Sequence, residues 1–313
     1  MKDFNHLESL YWVFTQLCND KCDHCYNLSG PQGSKITEEE CMAIIDNLPD
    51  KIDRIILSGG EPLAEKNKLY KILDRLKEKY GNNSQIMLQT NGDLLTEEKL
   101  DTLIEKGVTR FDIASIDRYH KNAGSRLEIL AALFESRGVN GDEPDPLVKK
   151  DNYLHSYPLS WGYWGANEEM WLGGNWARGR AMEKNIWMKN PDHNFCSILS
   201  GAIGFLNGGD NIPQEISIQL WRINPCCPGT KDAMGDARTE KVADVLKRVS
   251  EIPIFQMLDK GDPYKMGESI GVTEEHAIAR CGELENVCLW CDEFFTKHFD
   301  MKTLTPKTPV EAK

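Results

Sequence analysis

Four times in its first 136 residues the chain repeats one pattern: a short apolar run, a turn, then a segment with apolar residues at helical spacing. The run at Trp12-Val13-Phe14 is followed by a helix opened by Thr37 and Glu40, placed as a capping box, and carrying Ile44, Ile45 and Leu48. Arg54 to Ser58 stops at Gly59-Gly60-Glu61-Pro62 and leads to a helix over 66–80. Gln85 to Thr90 stops at Asn91-Gly92 and leads to a helix from Thr96 to Lys106, closed by Gly107. A strand from Thr109 to Ile116 leads to a helix from Arg126 to Ser136, closed by Gly138. Parallel strands need crossover connections and these are usually helical, so the pattern predicts an α/β fold: a curved parallel sheet or partial barrel with helices outside. Such architectures place chemistry at the carboxyl ends of the strands.

The second half is less regular. Residues 139–151 are polar and proline-bearing and predict a surface loop. Candidate strands follow near Tyr153 to Trp164 and Met170 to Trp176, with little between them. The aromatics Trp161, Tyr163, Trp164, Trp171 and Trp176 there serve either a substrate pocket or core packing. Glu215 to Trp221 alternates as a half-buried strand and leads into Cys226-Cys227, as one arm of a hairpin. Thr239 to Val249 is an amphipathic helix.

Ten cysteines occupy positions 18, 22, 25, 41, 196, 226, 227, 281, 288 and 291. Nothing resembles a leader peptide, so clustered thiols point to metal rather than disulfides, and a cytoplasmic location is expected. Cys41 suits an inert thiol on a helix. Cys18, Cys22 and Cys25 let one loop wrap a metal cluster, and three thiolates leave one iron of a four-iron cluster open. A zinc knuckle is the plain alternative.

With Tyr26 directly after the third cysteine, this spacing resembles the signature of the radical S-adenosylmethionine (SAM) enzymes. Gly59-Gly60-Glu61-Pro62 strengthens the likeness, which covers residues 11–127 and, less fully, 174–293. The resemblance implies a partial (β/α)6 TIM-like barrel over residues 1–190, a small α+β twitch/SPASM-like cluster domain over 191–300, and a flexible tail over 301–313. It implies a [4Fe-4S] cluster on Cys18, Cys22 and Cys25, reductive cleavage of SAM to a 5'-deoxyadenosyl radical, and hydrogen abstraction from substrate. Cofactor contacts carried over by motif are Tyr26, Gly59, Gly60, Glu61, Thr90, Asn91, Ser115 and Asp117, with Arg126 suited to the methionine carboxylate. His120, just past Asp117, is either a proton carrier or an ordinary loop histidine. No catalytic acid or base is assigned. Gly179-Arg180-Ala181 resembles a turn of relatives that carry additional clusters. Cys196, Cys226 or Cys227, Cys288 and Cys291 suffice for one auxiliary [4Fe-4S] cluster, Cys281 being a possible further ligand; zinc fits four thiolates equally well.

The implied activity is that of an oxygen-sensitive oxidoreductase acting on a small molecule or short peptide, with two-electron oxidation through the auxiliary cluster and a flavodoxin- or ferredoxin-type electron donor. The first strand begins within about a dozen residues of Met1 and leaves no room for a separate peptide-recognition domain, which favours a small molecule. Alternatives are redox-neutral epimerisation or isomerisation, a peptide-modifying maturase, or a non-catalytic iron-sulfur or zinc scaffold. A net charge of −12, from 49 acidic against 37 basic residues, disfavours nucleic acid. No apolar stretch reaches the roughly 18 residues that span a bilayer.

Overall fold

The computed structural model describes residues 2–116, 120, 123–141, 159–163 and 176–307. Strands β1 (His6–Val13), β2 (Lys51–Ser58), β3 (Gln85–Thr90), β4 (Val108–Ile113), β5 (Asn140–Gly141), β6 (Ser160–Tyr163), β7 (Glu215–Gln219), β8 (Arg222–Asn224) and β9 (Gly235–Asp236) form one sheet in the order β5-β6-β4-β3-β2-β1-β7-β8-β9. Pairing is parallel from β5 to β7 and antiparallel through β8 and β9. Helices α1 (Glu38–Asn47), α2 (Lys66–Tyr80), α3 (Glu97–Glu105) and α4 (Ala123–Glu135) follow β1 to β4 in turn. This is the expected partial barrel.

Register gives the sheet two unlike faces. Leu10, Ile55 and Ile86 share one row, and Trp12, Leu57, Leu88 and Phe111 share the next; all are buried in one core with Ile44, Leu69, Ile72 and Leu100 of the helices. The opposite face carries Ser9, Tyr11, Ser58 and Gln89, with Glu215 and Ser217 of β7 opposite Ser9 and Tyr11. Most of its polar groups satisfy one another: the Tyr11 hydroxyl lies 2.9 Å from Ser58 Oγ and 2.8 Å from Gln89 Oε1, and Ser9 Oγ donates to Glu215 Oε2 at 2.7 Å, while the buried Ser217 hydroxyl has no partner among the described residues.

Local sequence explains most element ends. The α1 capping box is present, Thr37 Oγ1 accepting from the Glu40 N–H at 3.2 Å and Glu40 Oε2 from the Thr37 N–H at 2.8 Å. The fourth strand ends at Ile113 rather than at Ile116, because Ser115 turns its hydroxyl onto the Asn91 carbonyl at 2.7 Å. The helix expected from Thr239 begins at Val242 (α6, Val242–Ser250), since the Asp236 carbonyl draws the N–H groups of Thr239 and Glu240 into a turn. Of the candidate strands after residue 150, Ser160–Tyr163 is a strand and Trp176 lies in a bend; residues 153–158, Trp164 and 170–175 lie outside the described residues.

Beyond α5 (Gly179–Glu183), the chain returns as β7 alongside β1, so the sheet runs on past residue 190. Helices α7 (Pro253–Asp259), α8 (Glu274–Leu284) and α9 (Val287–Lys297) complete the carboxyl-terminal part, and β10 (Phe299–Asp300) pairs with β11 (Thr305–Pro306). Residues up to Lys307, assigned by sequence to a flexible tail, are thus held in a hairpin, with Lys307 Nζ donating to the Phe295 and Thr296 carbonyls at 3.0 and 2.7 Å. Among the described residues no helix is long and apolar enough to cross a membrane.

Candidate functional site

The cysteine loop leaves the carboxyl end of β1 and is held by the glycine turn after β2. The N–H groups of Gly60 and Glu61 donate to the carbonyls of Thr15 and Leu17 at 2.7 and 2.8 Å, carrying the β1–β2 pairing past the strand ends. The approach is so close that a Cβ on Gly60 would stand 2.4 Å from the Leu17 carbonyl oxygen, and one on Gly59 2.7 Å from that of Thr15.

Within the loop, Cys18 Sγ accepts from the Asp20 N–H at 3.4 Å and Cys25 Sγ from the Ser29 N–H at 3.2 Å. Burial is the main cause that pushes the Cys18 thiol up to about 12, with Glu61, Cys25 and Asp20 adding to it. Cys22 is likewise raised, by burial, by its hydrogen bond to Asp20, and by the charges of Cys18 and Cys25. Cys18 and Cys22 each resist ionising, as expected of ligands that a metal's positive charge would relieve.

Glu61 is fully buried. Its carboxylate accepts from Thr90 Oγ1 at 2.8 and 2.9 Å, from the Asn91 N–H at 2.8 Å and from the Leu63 N–H at 3.0 Å, while burial raises its pKa. Asn91 reaches the cysteine loop, with Nδ2 2.9 Å from Asn19 Oδ1 and 3.8 Å from Cys18 Sγ. Arg126 gives Nε and Nη2 to Asp93 Oδ1 at 2.8 and 2.7 Å and Nη1 to the Ser115 carbonyl at 3.3 Å, so its carboxylate partner here is Asp93. Glu61, Thr90, Asn91, Ser115 and Arg126 therefore form one hydrogen-bonded shelf beside Cys18; Asp117 lies outside the described residues. His120 meets His24 edge-on at 4.6 Å between ring centroids, and ligand atoms of the two histidines and Cys22 lie within 4.8 Å of one another.

A second group of thiols forms in the carboxyl-terminal part. Cys196 is pushed well up by burial and by the charges of Cys291, Cys288 and Cys226; Cys226 rises to about 12 through burial and Cys288, and Cys288 to about 11 through burial. Cys227 stands apart: its Sγ is 3.8 Å from the Tyr26 hydroxyl, which is itself 3.2 Å from the Tyr11 hydroxyl on the polar face of the sheet. Cys281 is buried at 3.5 Å from the Pro191 carbonyl, and Cys41 is buried in α1.

Four residues of one segment, Trp176, Arg178, Gly179 and Arg180, join the two thiol groups. Trp176 meets Tyr26 edge-on at 4.5 Å and Phe195, the neighbour of Cys196, at 5.2 Å. Arg178 donates to the Cys288 carbonyl at 3.2 Å and pairs with Asp292, next to Cys291. Gly179, at φ 52°, packs against Tyr26, where a Cβ would stand 2.3 Å from its carbonyl oxygen. Arg180 gives Nε to the Cys22 carbonyl at 2.7 Å, Nη2 to that of Ser29 at 2.8 Å and its N–H to that of Cys25 at 2.8 Å. Sequence reasoning marked the turn but missed Arg178 and Asp292; adjacency to Gly179 and to Cys291 was the available signal.

Residues 12–121 match the family model described as Radical SAM superfamily. That match takes in the cysteine loop, the glycine turn after β2 and the shelf residues Thr90, Asn91 and Ser115. An uncharacterized protein of Archaeoglobus fulgidus is 32% identical over 151 residues, 45% of this chain and 35% of that protein. The AdoMet-dependent heme synthase of Methanosarcina barkeri is 32% identical over 129 residues, 40% of this chain and 35% of that protein. The similarity thus spans about a third of the length of each of these relatives. The crystal structure of BtrN in complex with AdoMet and 2-DOIA aligns with a TM-score of 0.51 at 17% identity, covering 82% of this chain and 88% of that one, and shares the fold. Radical SAM proteins use a four-iron cluster and SAM, and three loop thiols with a buried acidic shelf beside them fit that pair.

Proposed function

We propose that the chain is a radical SAM oxidoreductase that removes hydrogen from a small molecule or short peptide and completes a two-electron oxidation with the help of a second cluster. Cys18, Cys22 and Cys25 hold the cluster that binds SAM, over a barrel core assigned to residues 1–190. Cys196, Cys226, Cys288 and Cys291 hold the second, in a module assigned to 191–300. Bound in the loop, the first cluster and SAM supply one-electron chemistry and a hydrogen-abstracting species, which the protein need not generate itself.

The chain's own residues prepare that site. Glu61, Thr90 and Asn91 present a buried acceptor and amide donors to the amino and ribose parts of SAM, with Gly59 and Gly60 giving their backbone close access and Tyr26 closing the loop. Ser115 fixes the Asn91 carbonyl. Arg126 braces the shelf through Asp93, and Asp117 is assigned to it by sequence. The single observation that carries the oxidative reading is the second group of four thiols, tied through Trp176–Arg180 to the first. Zinc is disfavoured there: bonds of about 2.3 Å would bring tetrahedral sulfurs roughly 3.8 Å apart, and among the described residues no three of these sulfurs lie within 4.8 Å of one another. An electron donor of flavodoxin or ferredoxin type completes the cycle.

Iron content and reductive SAM cleavage test the reading on anaerobically reconstituted protein. About eight irons, falling to about four in the Cys18→Ala, Cys22→Ala, Cys25→Ala variant, together with 5'-deoxyadenosine from the wild type, are expected. Absence of cleavage in the fully loaded, reduced protein would sink the enzyme reading. About four irons with one zinc would favour redox-neutral chemistry, with the carboxyl-terminal site structural.

A further inference from the structure

Arg178 occupies a position that no motif marked. Its Nη1 and Nη2 stand 2.9 and 3.0 Å from Asp292 Oδ2 and Oδ1, a bidentate arrangement that fixes the guanidinium plane. The same Nη2 donates to the Cys288 carbonyl at 3.2 Å and meets the Gly229 carbonyl at 3.5 Å, while Nη1 donates to the Ala177 carbonyl at 3.0 Å. The arginine side chain is 14% exposed, against 27% for its partner carboxylate, so the cation is the more enclosed of the two.

We propose that Arg178 is a positioning residue that sets the reduction potential of the cluster held by Cys196, Cys226, Cys288 and Cys291, raising it, while Asp292 lowers it. The inference rests on the reading that these four thiols hold a cluster. The potential of an iron-sulfur cluster depends on the net charge around it, on hydrogen bonds and on exposure to solvent. Adding an electron makes the cluster more negative, so an enclosed cation nearby favours the reduced form. A partnered arginine does not cancel with its carboxylate at close range, because the two charges stand at different distances from each sulfur. The two charges are placed unequally: Arg178 Nη2 donates to the Cys288 carbonyl at 3.2 Å, whereas Asp292 is the chain neighbour of Cys291. A cluster that accepts an electron from a substrate radical needs a potential held high enough to take it, and Arg178, the more enclosed member of the pair, is placed to favour this without touching substrate.

The test uses the full-length Cys18→Ala, Cys22→Ala, Cys25→Ala protein, in which only the carboxyl-terminal cluster remains, reconstituted anaerobically and poised in a potentiometric titration followed by electron paramagnetic resonance. With about four irons in that background, Arg178→Gln is expected to shift the midpoint negative and Asp292→Asn to shift it positive. Arg178→Lys, keeping the charge, should stay near the parent. A tenfold change in the reduced-to-oxidised ratio at fixed poise corresponds to about 59 mV for this one-electron couple. Unchanged midpoints in Arg178→Gln and Asp292→Asn at full iron content, or shifts of the same sign, would overturn the proposal and leave the cluster reading intact. Absence of iron from the parent background would overturn both. Should Arg178→Gln lose its iron, the Asp292→Asn midpoint decides, a rise supporting the electrostatic role and no change refuting it.

Discussion

Cys226 and Cys227 are neighbours in sequence with different surroundings: the charge of Cys288 bears on Cys226, whereas the Cys227 sulfur lies 3.8 Å from the Tyr26 hydroxyl. A turn after β8 can offer one of two consecutive side chains to the carboxyl-terminal thiols and the other to the polar face of the sheet. Cys226→Ala is therefore expected to lose the iron of the carboxyl-terminal site, about four per chain. Cys227→Ala should retain it. Iron analysis of the two variants, each beside the wild type, checks the assignment; equal iron loss in both would refute it.

Arg180 supplies the second prediction. Its guanidinium holds the first cysteine loop through the carbonyls of Cys22 and Ser29, and its backbone N–H holds that of Cys25. Charged donors to carbonyls contribute roughly 1.5–3 kcal/mol each, so Arg180→Ala should loosen the loop selectively. The expected result is loss of the SAM-cleaving iron with the carboxyl-terminal iron retained, and a fall in thermal stability of about 2 kcal/mol or more. Arg180→Lys reaches only one carbonyl at a time and should fall between.

Much of this arrangement was legible in the sequence, for a physical reason. Apolar runs mark the first strands because these are buried on both faces, helical periodicity marks the helices because each buries one, and the capping box at Thr37 and Glu40 appears where the residue types required it. Gly59 and Gly60 marked the turn that ends the second strand, while the close packing of that turn on the cysteine loop was not legible. The choice between Cys226 and Cys227 was not legible, since adjacent residues differ only in the direction the turn gives them. Nor was the addition of β7 to β1, because strand pairing between residues some two hundred apart leaves no local trace. Arg178 and Asp292 escaped notice because their ion pair joins residues 114 apart and is made by tertiary contact.

Acid stability should depend on Glu293. Its carboxylate receives Arg280 Nε and Nη2 at 2.9 and 2.7 Å and Lys297 Nζ at 3.2 Å, and the Arg280 hydrogen bonds are the main cause holding its pKa down at about 2. A folded-state pKa below the unfolded value of about 4.5 means that the unfolded chain binds the proton more readily, so this stabilisation is present above about pH 4.5 and is lost as pH falls toward 2. It amounts to something on the order of 2 kcal/mol. Glu293→Gln should therefore lower the melting temperature at pH 7 and flatten its decline between about pH 5 and pH 3. Parallel melting curves for variant and wild type across that range would refute the assignment.

Gly60 offers the sharpest steric test of the link between the glycine turn and the cysteine loop. A methyl group there would stand 2.4 Å from the Leu17 carbonyl oxygen and 2.8 Å from that of Gln16, and both are backbone atoms that cannot swing aside as a side chain would. Either the turn or the loop must move, and the loop is the segment that carries Cys18. Gly60→Ala should cost about 1–3 kcal/mol in stability and reduce the iron held by Cys18, Cys22 and Cys25. Gly282, inside α8 with nothing within 4 Å of its Cβ position, is the control. Alanine there gains up to about 1 kcal/mol in helix propensity, so Gly282→Ala should melt no lower than wild type and keep its iron. If Gly60→Ala also retained full iron and stability, the close packing of β2's glycine turn on the cysteine loop would not be what holds the loop in place.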